Sequence, residues 1–183
     1  MRIDDQGWLT HTRHHPSPNF DHRPPGQNID LLVIHNISLP PEQFGENWIL
    51  DFFSNKLDPS AHPYFESISE LNVSAHALIR RDGEIIQLVS FNDRAWHAGA
   101  SCYNGRERCN DFSIGIELEG SDNQPFEQPQ YEALARLSAL LISHYPLLSE
   151  DTITGHSDIA PERKTDPGPF FEWQRFKDLL NKA

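Results

Sequence analysis

The run Leu31-Leu32-Val33-Ile34 constrains this chain most. Consecutive apolar residues, partly β-branched, give a strand no polar face, so it is stable only where both faces are covered. The fold must therefore place structure on each side of a sheet. His35 and Asn36 follow at once, where a buried strand emerges and side chains can face a cleft. A histidine in such a place is more often a satisfied structural residue than a ligand. Its partners elsewhere in the chain decide between the two.

A second stretch supplies candidates. Thr154–Pro169 reads T-G-H-S-D-I-A-P-E-R-K-T-D-P-G-P. Gly155, Pro161, Pro167, Gly168 and Pro169 make it a loop by composition, and its prolines restrict φ and stiffen it. It carries His156, Asp158, Arg163, Lys164 and Asp166, and a stiff loop suits groups that must stay in place. The plainer alternative is a polar surface connection.

Taken in order, residues 1–28 read as an extended arm, with Pro16, Pro18, Pro24 and Pro25 and the histidines His11, His14, His15 and His22. A solvated arm lying over the domain, anchored by Trp8 and Leu9, is favoured over a histidine-rich metal tract. Residues 29–183 form the domain proper. Phe44, Trp48 and Phe52 recur every four positions beside Ile49 and Phe53, which predicts a short amphipathic helix within 45–55 whose rings are core, or in part the wall of a groove. S-A-H-A-L-I-R and E-I-I-Q-L-V-S flank an Asp82-Gly83 turn, a hairpin signal. Trp96, His97 and Gly99 fall in a loop.

The strand around Ser113–Glu119 alternates, with Ile114, Ile116 and Leu118 on one face and Ser113, Gly115, Glu117 and Glu119 on the other. Gly115 leaves room for something to approach closely. On an edge strand the glutamates would be solvated, whereas on a central strand Glu117 would be a buried carboxylate in need of a purpose. Helices are expected over 127–145 and 172–181 from the spacing of Tyr131, Leu134, Leu137, Leu141 and His144 and of Trp173, Phe176 and Leu180. Strands and helices interleave, so the fold class is α/β with α+β character: one mixed central sheet with helices on its faces.

Composition narrows the function classes. At 183 residues the chain can bury a proper core as a single domain. A net charge of −12 argues against nucleic acid or an anionic membrane as the main partner. No apolar run approaches the ~20 residues of a bilayer span, and the acidic start lacks an export signal, so a cytoplasmic location is expected. Cys102 and Cys109 are expected as free thiols. Nothing demands more than a monomer. Arg106, Arg108, Arg163 and Lys164 could supply a local basic patch for an anionic small substrate.

A catalytic zinc takes three protein ligands and leaves one position open. His35, His156 and Asp166 offer two imidazoles and a carboxylate. Glu117 could take a proton from water and pass it to a leaving nitrogen, and Lys164 could face a developing oxyanion. Such parts describe amide hydrolysis, though ligands so far apart in sequence match no compact motif.

At these residues the chain resembles a known family. L-L-V-I-H-N-I-S-L-P-P, A-H-P-Y-F, V-S-A-H-A-L-I-R-R-D-G-E-I-I-Q, R-A-W-H-A-G, G-R-E-R-C-N-D-F-S-I-G-I-E-L-E-G and T-G-H-S-D-I-A-P-E-R-K-T-D-P-G-P closely resemble the AmpD family. Those are cytoplasmic zinc amidases of bacterial cell-wall recycling, related to type 2 amidases and peptidoglycan recognition proteins. The resemblance spans roughly Trp8–Leu180. It implies one zinc ion, an anhydro-muramyl peptide substrate, and cleavage between N-acetylmuramic acid and L-alanine. It further implies His35, His156 and Asp166 as zinc ligands, with Glu117 and Lys164 catalytic. Asn36, Tyr64, His76, Arg108 and Arg163 fall at positions near the metal or the substrate, and Asn72 stands where some members carry arginine. A non-catalytic recognition module and a lysin of intact wall are the rival readings.

Overall fold

The computed structural model describes residues 1–183. Its strands are β1 (Arg13–His14), β2 (Phe20–Asp21), β3 (Leu31–Ile37), β4 (Ala77–Ile79), β5 (Ile85–Gln87), β6 (Arg94–Ala95), β7 (Cys102–Tyr103), β8 (Arg106–Glu107), β9 (Ser113–Glu119) and β10 (Ile153–Gly155). Its α-helices are α1 (Trp48–Phe53), α2 (Pro63–Glu66), α3 (Gln128–His144), α4 (His156–Ile159) and α5 (Trp173–Leu180). Six strands form one sheet in the order β1-β5-β4-β9-β3-β10. Only the β4–β5 hairpin is antiparallel, so the sheet is mixed. Two small ribbons, β2–β6 and β7–β8, lie outside it.

The apolar run of β3 sits beside β9 in the middle of the sheet, with Leu31–Ile34 and all of β9 buried. Leu32 and Ile34 share a face with Ile114, Ile116 and Leu118, and α3 and α5 cover it through Tyr131, Leu134, Leu137, Leu141, Phe176 and Leu180. His144, at the end of the expected helical stripe, is exposed. Each aliphatic side chain taken fully out of water contributes about 1.5–3 kcal/mol, so this layer carries much of the stability. The opposite face carries Ser113, Gly115, Glu117, Leu31, Val33 and His35. Loops, α1 and α2 cover that face, the helices through Phe52, Phe53 and Phe65.

Two expectations need correction. Thr154–Pro169 is not all loop, because Ile153–Gly155 pairs in parallel with Leu32–Ile34 and one helical turn, α4, follows. A three-residue edge strand ending in glycine leaves little compositional trace. Nor do residues 1–28 form a solvated arm. β1 extends the main sheet, Leu9, Ser17 and Asn19 are buried, and the Arg23 side chain turns inward. Prolines separate short extended pieces whose remaining amides pair with the sheet, as Ser17 N–H does with Leu88 O at 2.8 Å.

Arg23 stitches the segment down. Its guanidinium donates to the carbonyls of Asn110 and Asp111 at 3.1 and 3.2 Å, and of Phe91 and Ser113 at 3.2 and 2.9 Å. Burial pulls its pKa down to about 10. Removing a buried donor strands every acceptor it served. Arg23→Ala is therefore expected to cost about 3 kcal/mol or more in urea unfolding. Arg13→Ala, which removes an exposed 3.8 Å contact with Glu84, should cost about 0.5 kcal/mol or less. Equal losses would show that Arg23 is not a buried tie.

Candidate active site

The β3–β9 register pairs His35 with Glu117, so the two side chains stand side by side on one face. β10 runs parallel on the other side of β3 and delivers His156 directly after Gly155, the partner of Ile34. Asp166 reaches the same point from the end of the proline-rich turn, where Ser157 N–H donates to Asp166 O at 2.9 Å. Ligands of open α/β sheets sit beyond the carboxyl ends of such strands.

Three atoms converge there. His35 Nδ1 lies 2.9 Å from His156 Nδ1 and 3.0 Å from Asp166 Oδ2, and His156 Nδ1 lies 3.1 Å from that same oxygen. A small divalent ion with ligands at 2.0–2.1 Å in a tetrahedron holds them about 3.3 Å apart, so the set fits one. It is the chain's one such grouping of metal-capable side chains. The outer nitrogens are occupied elsewhere, His35 Nε2 lying 2.9 Å from His97 Nδ1 and His156 Nε2 lying 3.1 Å from Ala98 O. A backbone carbonyl can only accept, so His156 carries its proton on Nε2 and turns a bare Nδ1 inward.

Charge at the site follows from burial. Burial pushes His35 down to about 4, against the opposing pull of Asp166, so this imidazole is neutral at neutral pH. Burial works to raise the Asp166 carboxyl, but its contacts with His156 and His35 outweigh it and hold the group below the ordinary carboxylate range. Glu117 is the opposite case. Burial, and then the nearby Asp166 charge, push its pKa well up, with Lys164 pulling the other way.

The two glutamates of β9 part company here. Glu119 accepts from Gly45 N–H at 2.8 Å, Arg80 Nη1 at 3.1 Å and Arg81 N–H at 3.2 Å. Glu117 Oε2 is buried with no hydrogen-bond partner. The first glutamate is structural, and the second is held ready for something the fold does not supply. Both Glu117 and Lys164 line a cleft of about 370 Å³ with His35, His156 and Asp166. Phe52, Phe53, Tyr64 and Trp96 give it an aromatic wall, whereas Phe44 and Trp48 lie elsewhere.

The remaining site candidates are scattered. Tyr64 lies on the cleft wall and is exposed. Asn36 lines it too, but donates its amide to Asp122 Oδ1 at 2.7 Å and Pro167 O at 3.0 Å. Arg163 is pinned to Ala98 O at 2.6 Å and Ala100 O at 2.8 Å. With Arg108 it borders a neighbouring hollow of about 590 Å³ that holds none of the three converging residues. Arg106 is tied to Asp30 at 2.6 Å and takes no part in that patch.

His76 is a correction. It is fully buried and away from the cleft, receiving Gly115 N–H on Nδ1 at 3.0 Å and donating from Nε2 to Asp93 O at 3.1 Å. Both nitrogens are spent within the fold, so the ring has nothing left for a ligand. His97 was legible only as a loop histidine, yet it contacts His35 directly. Its signal was Gly115, whose missing Cβ leaves the space that the His97 ring fills, since a Cβ there would lie 2.4 Å from the ring.

Two imidazoles and a carboxylate set to receive a cation, with a high-pKa carboxyl beside them, are what metal-assisted amide hydrolysis requires. The class defined by fold and site is that of the amidases. Residues 25–169 match the N-acetylmuramoyl-L-alanine amidase family, Amidase_2, and the chain belongs to it. It is 58% identical to the 1,6-anhydro-N-acetylmuramyl-L-alanine amidase AmpD of Citrobacter freundii over 98% of this chain and 95% of that protein. A crystal structure of a selenomethionine AmpD derivative superposes with a TM-score of 0.95 at 58% identity, covering 98% of this chain and 99% of that one. The Escherichia coli amidase AmiD, solved with anhydro-N-acetylmuramic acid-L-Ala-D-γ-Glu-L-Lys, gives 0.60 at 31% identity over 86% of this chain and 60% of that one.

Glu117 yields a prediction. Its pKa in the folded protein lies above its ordinary value of 4.5, so it costs nothing below that pH and costs progressively more as pH rises toward the folded value. In chelator-treated protein at pH 7, Glu117→Gln should raise stability by about 1 kcal/mol or more. The gain should shrink towards pH 4.5, as read from thermal melts across pH. A gain that grows on acidification would contradict this assignment.

Proposed function

We propose that the chain is a zinc-dependent amidase that cleaves the bond between 1,6-anhydro-N-acetylmuramic acid and the L-alanine of its peptide, in cytoplasmic recycling of cell-wall fragments. One observation carries the reading. The convergence of His35, His156 and Asp166 beside the unpartnered Glu117 occurs in a chain matched along nearly its whole length by AmpD amidases. No helix of the chain is long and apolar enough to cross a membrane, which suits a cytoplasmic substrate.

His35, His156 and Asp166 would hold the ion, and zinc bound there supplies Lewis acidity to the amide carbonyl. The chain's own groups do the rest. Glu117, with a raised pKa and a free oxygen, takes the proton of the attacking water and hands it to the departing alanine nitrogen. Amide cleavage stalls unless that nitrogen leaves as an amine, so one carboxyl poised to receive and return a proton suffices. Lys164, on the same wall, sets a positive charge towards the oxygen that becomes negative.

The aromatic wall of Trp96, Phe52 and Phe53 offers an apolar face to a sugar ring, with Tyr64 at its rim. Arg163 and Arg108, beyond the reacting bond, suit the carboxylates of a peptide stem. Asn36 has only its carbonyl oxygen left to offer. Residues 29–183 carry the catalytic groups, and residues 1–28 complete the same domain through β1 and Arg23.

The reading is tested by mass spectrometry of products from anhydro-muramyl tripeptide and, in parallel, from intact wall fragments. Free tripeptide should appear mainly from the anhydro substrate, vanish on chelation and return with zinc. Glu117→Ala should keep zinc and lose turnover by about 10²-fold or more, while His156→Ala should lose both. Binding without cleavage in zinc-loaded protein would instead make the chain a recognition module, and equal cleavage of intact wall would make it a lysin.

A further inference from the structure

We propose that His97 is a positioning residue that orients the metal-facing histidine His35, and that the His97–Ala98 turn sets both imidazoles of the site. The inference rests on the metal reading above and extends it to residues outside the three converging groups.

The argument starts at a backbone carbonyl. Ser113 Oγ lies 2.6 Å from Cys109 O, and because a carbonyl only accepts, the serine hydroxyl must donate to it. Ser113 Oγ then accepts at 3.1 Å from His97 Nε2, which carries that ring's proton. His97 Nδ1 is left as a lone pair and accepts from His35 Nε2 at 2.9 Å. The proton of His35 is thereby held on Nε2, and Nδ1 faces His156 and Asp166 bare. One directional chain, from Cys109 O through Ser113 and His97, fixes the tautomer a metal needs. On the next residue, Ala98 O does the same for His156.

The turn is itself held. Asn110 Oδ1 accepts from the backbone N–H groups of His97 and Ala98 at 3.1 and 2.7 Å. The His97 ring packs where Gly115 has no Cβ, and its edge meets His35 with centroids 5.0 Å apart. A surface histidine would show none of these ties. A ring whose two nitrogens are committed, with its backbone anchored and a glycine beneath it, has one orientation.

The test is zinc affinity, measured by competition against a chromophoric chelator on the full chain. It is paired with the visible spectrum of the cobalt-substituted protein and the melting temperature of the metal-free form. His97→Leu keeps the bulk and removes the acceptor. It should weaken zinc binding about 10- to 100-fold and alter the cobalt bands, while the metal-free form still melts cooperatively, at a temperature lowered by the buried His35 N–H left without an acceptor. His97→Asn places a carbonyl oxygen close to the Nδ1 position and should recover a substantial part of that loss.

A folded His97→Leu protein that binds zinc within twofold of the parent overturns the proposal. So does a His97→Asn protein no better than the leucine variant, because packing alone would then explain the effect. Should His97→Leu not fold, Ser113→Ala decides: weaker zinc binding supports the chain of hydrogen bonds, and unchanged binding overturns it. A parent chain that takes up no zinc overturns the zinc assignment itself, and this inference with it.

Discussion

The site depends on the parallel pairing of β3 with β9, whose register sets His35 opposite Glu117. A slip of one residue would turn one of these side chains to the helix-covered face. The register is held by what lies on that other face, where Leu32, Ile34, Ile114, Ile116 and Leu118 all pack beneath α3 and α5. The chemistry on one face is therefore placed by hydrophobic burial on the other. Because side chains alternate strictly along a strand, the energy that aligns the apolar residues aligns the polar ones as well.

This division explains why β9 carries polar residues while wholly buried. Ser113, Gly115, Glu117 and Glu119 could not sit on a buried face as a hydrophobic layer would. Ser113 relays a hydrogen bond, Gly115 makes room for His97, and Glu119 is neutralised by Arg80. Only Glu117 is left with a buried oxygen unpartnered. A fold that satisfies three of four such positions and leaves one open keeps a destabilising group on the wall of its cleft.

Much of this was legible in the sequence, and the rest was hidden for identifiable reasons. The apolar run of β3, the alternation of β9 and the periods of α3 and α5 report burial directly, so those elements stand close to their expected bounds. Short pieces held by long-range pairing do not report themselves. β1, β2 and β10 are two or three residues each and owe their form to partners far along the chain. The same holds at the site. His35, His156 and Asp166 could be named from residue type and from likeness to a family, and the structure draws them together. Yet nothing in the local sequence tells what His76, read within a hairpin strand, or His97, read in a loop, will touch. The difference is one of neighbours: Gly115 N–H and Asp93 O consume His76, whereas Ser113 and His35 bracket His97.

The N-terminal segment shows how far the site's support extends. Arg23 reaches the carbonyls of Phe91, Asn110, Asp111 and Ser113. Those carbonyls belong to the loops and strand start that flank His97 and its anchor Asn110. An arginine with no carboxylate against it is an expensive thing to bury, and a hydrophobic residue could fill the same space at lower cost. What a hydrophobic residue could not do is satisfy four carbonyls at once, from the Phe91 loop, the Asn110–Asp111 turn and the start of β9. Arg23 keeps those turns in one arrangement, and the His97–Ala98 turn that faces both imidazoles is one of the pieces so arranged. The segment that reads as a loose proline-rich arm is thus part of what makes the centre of the molecule stiff.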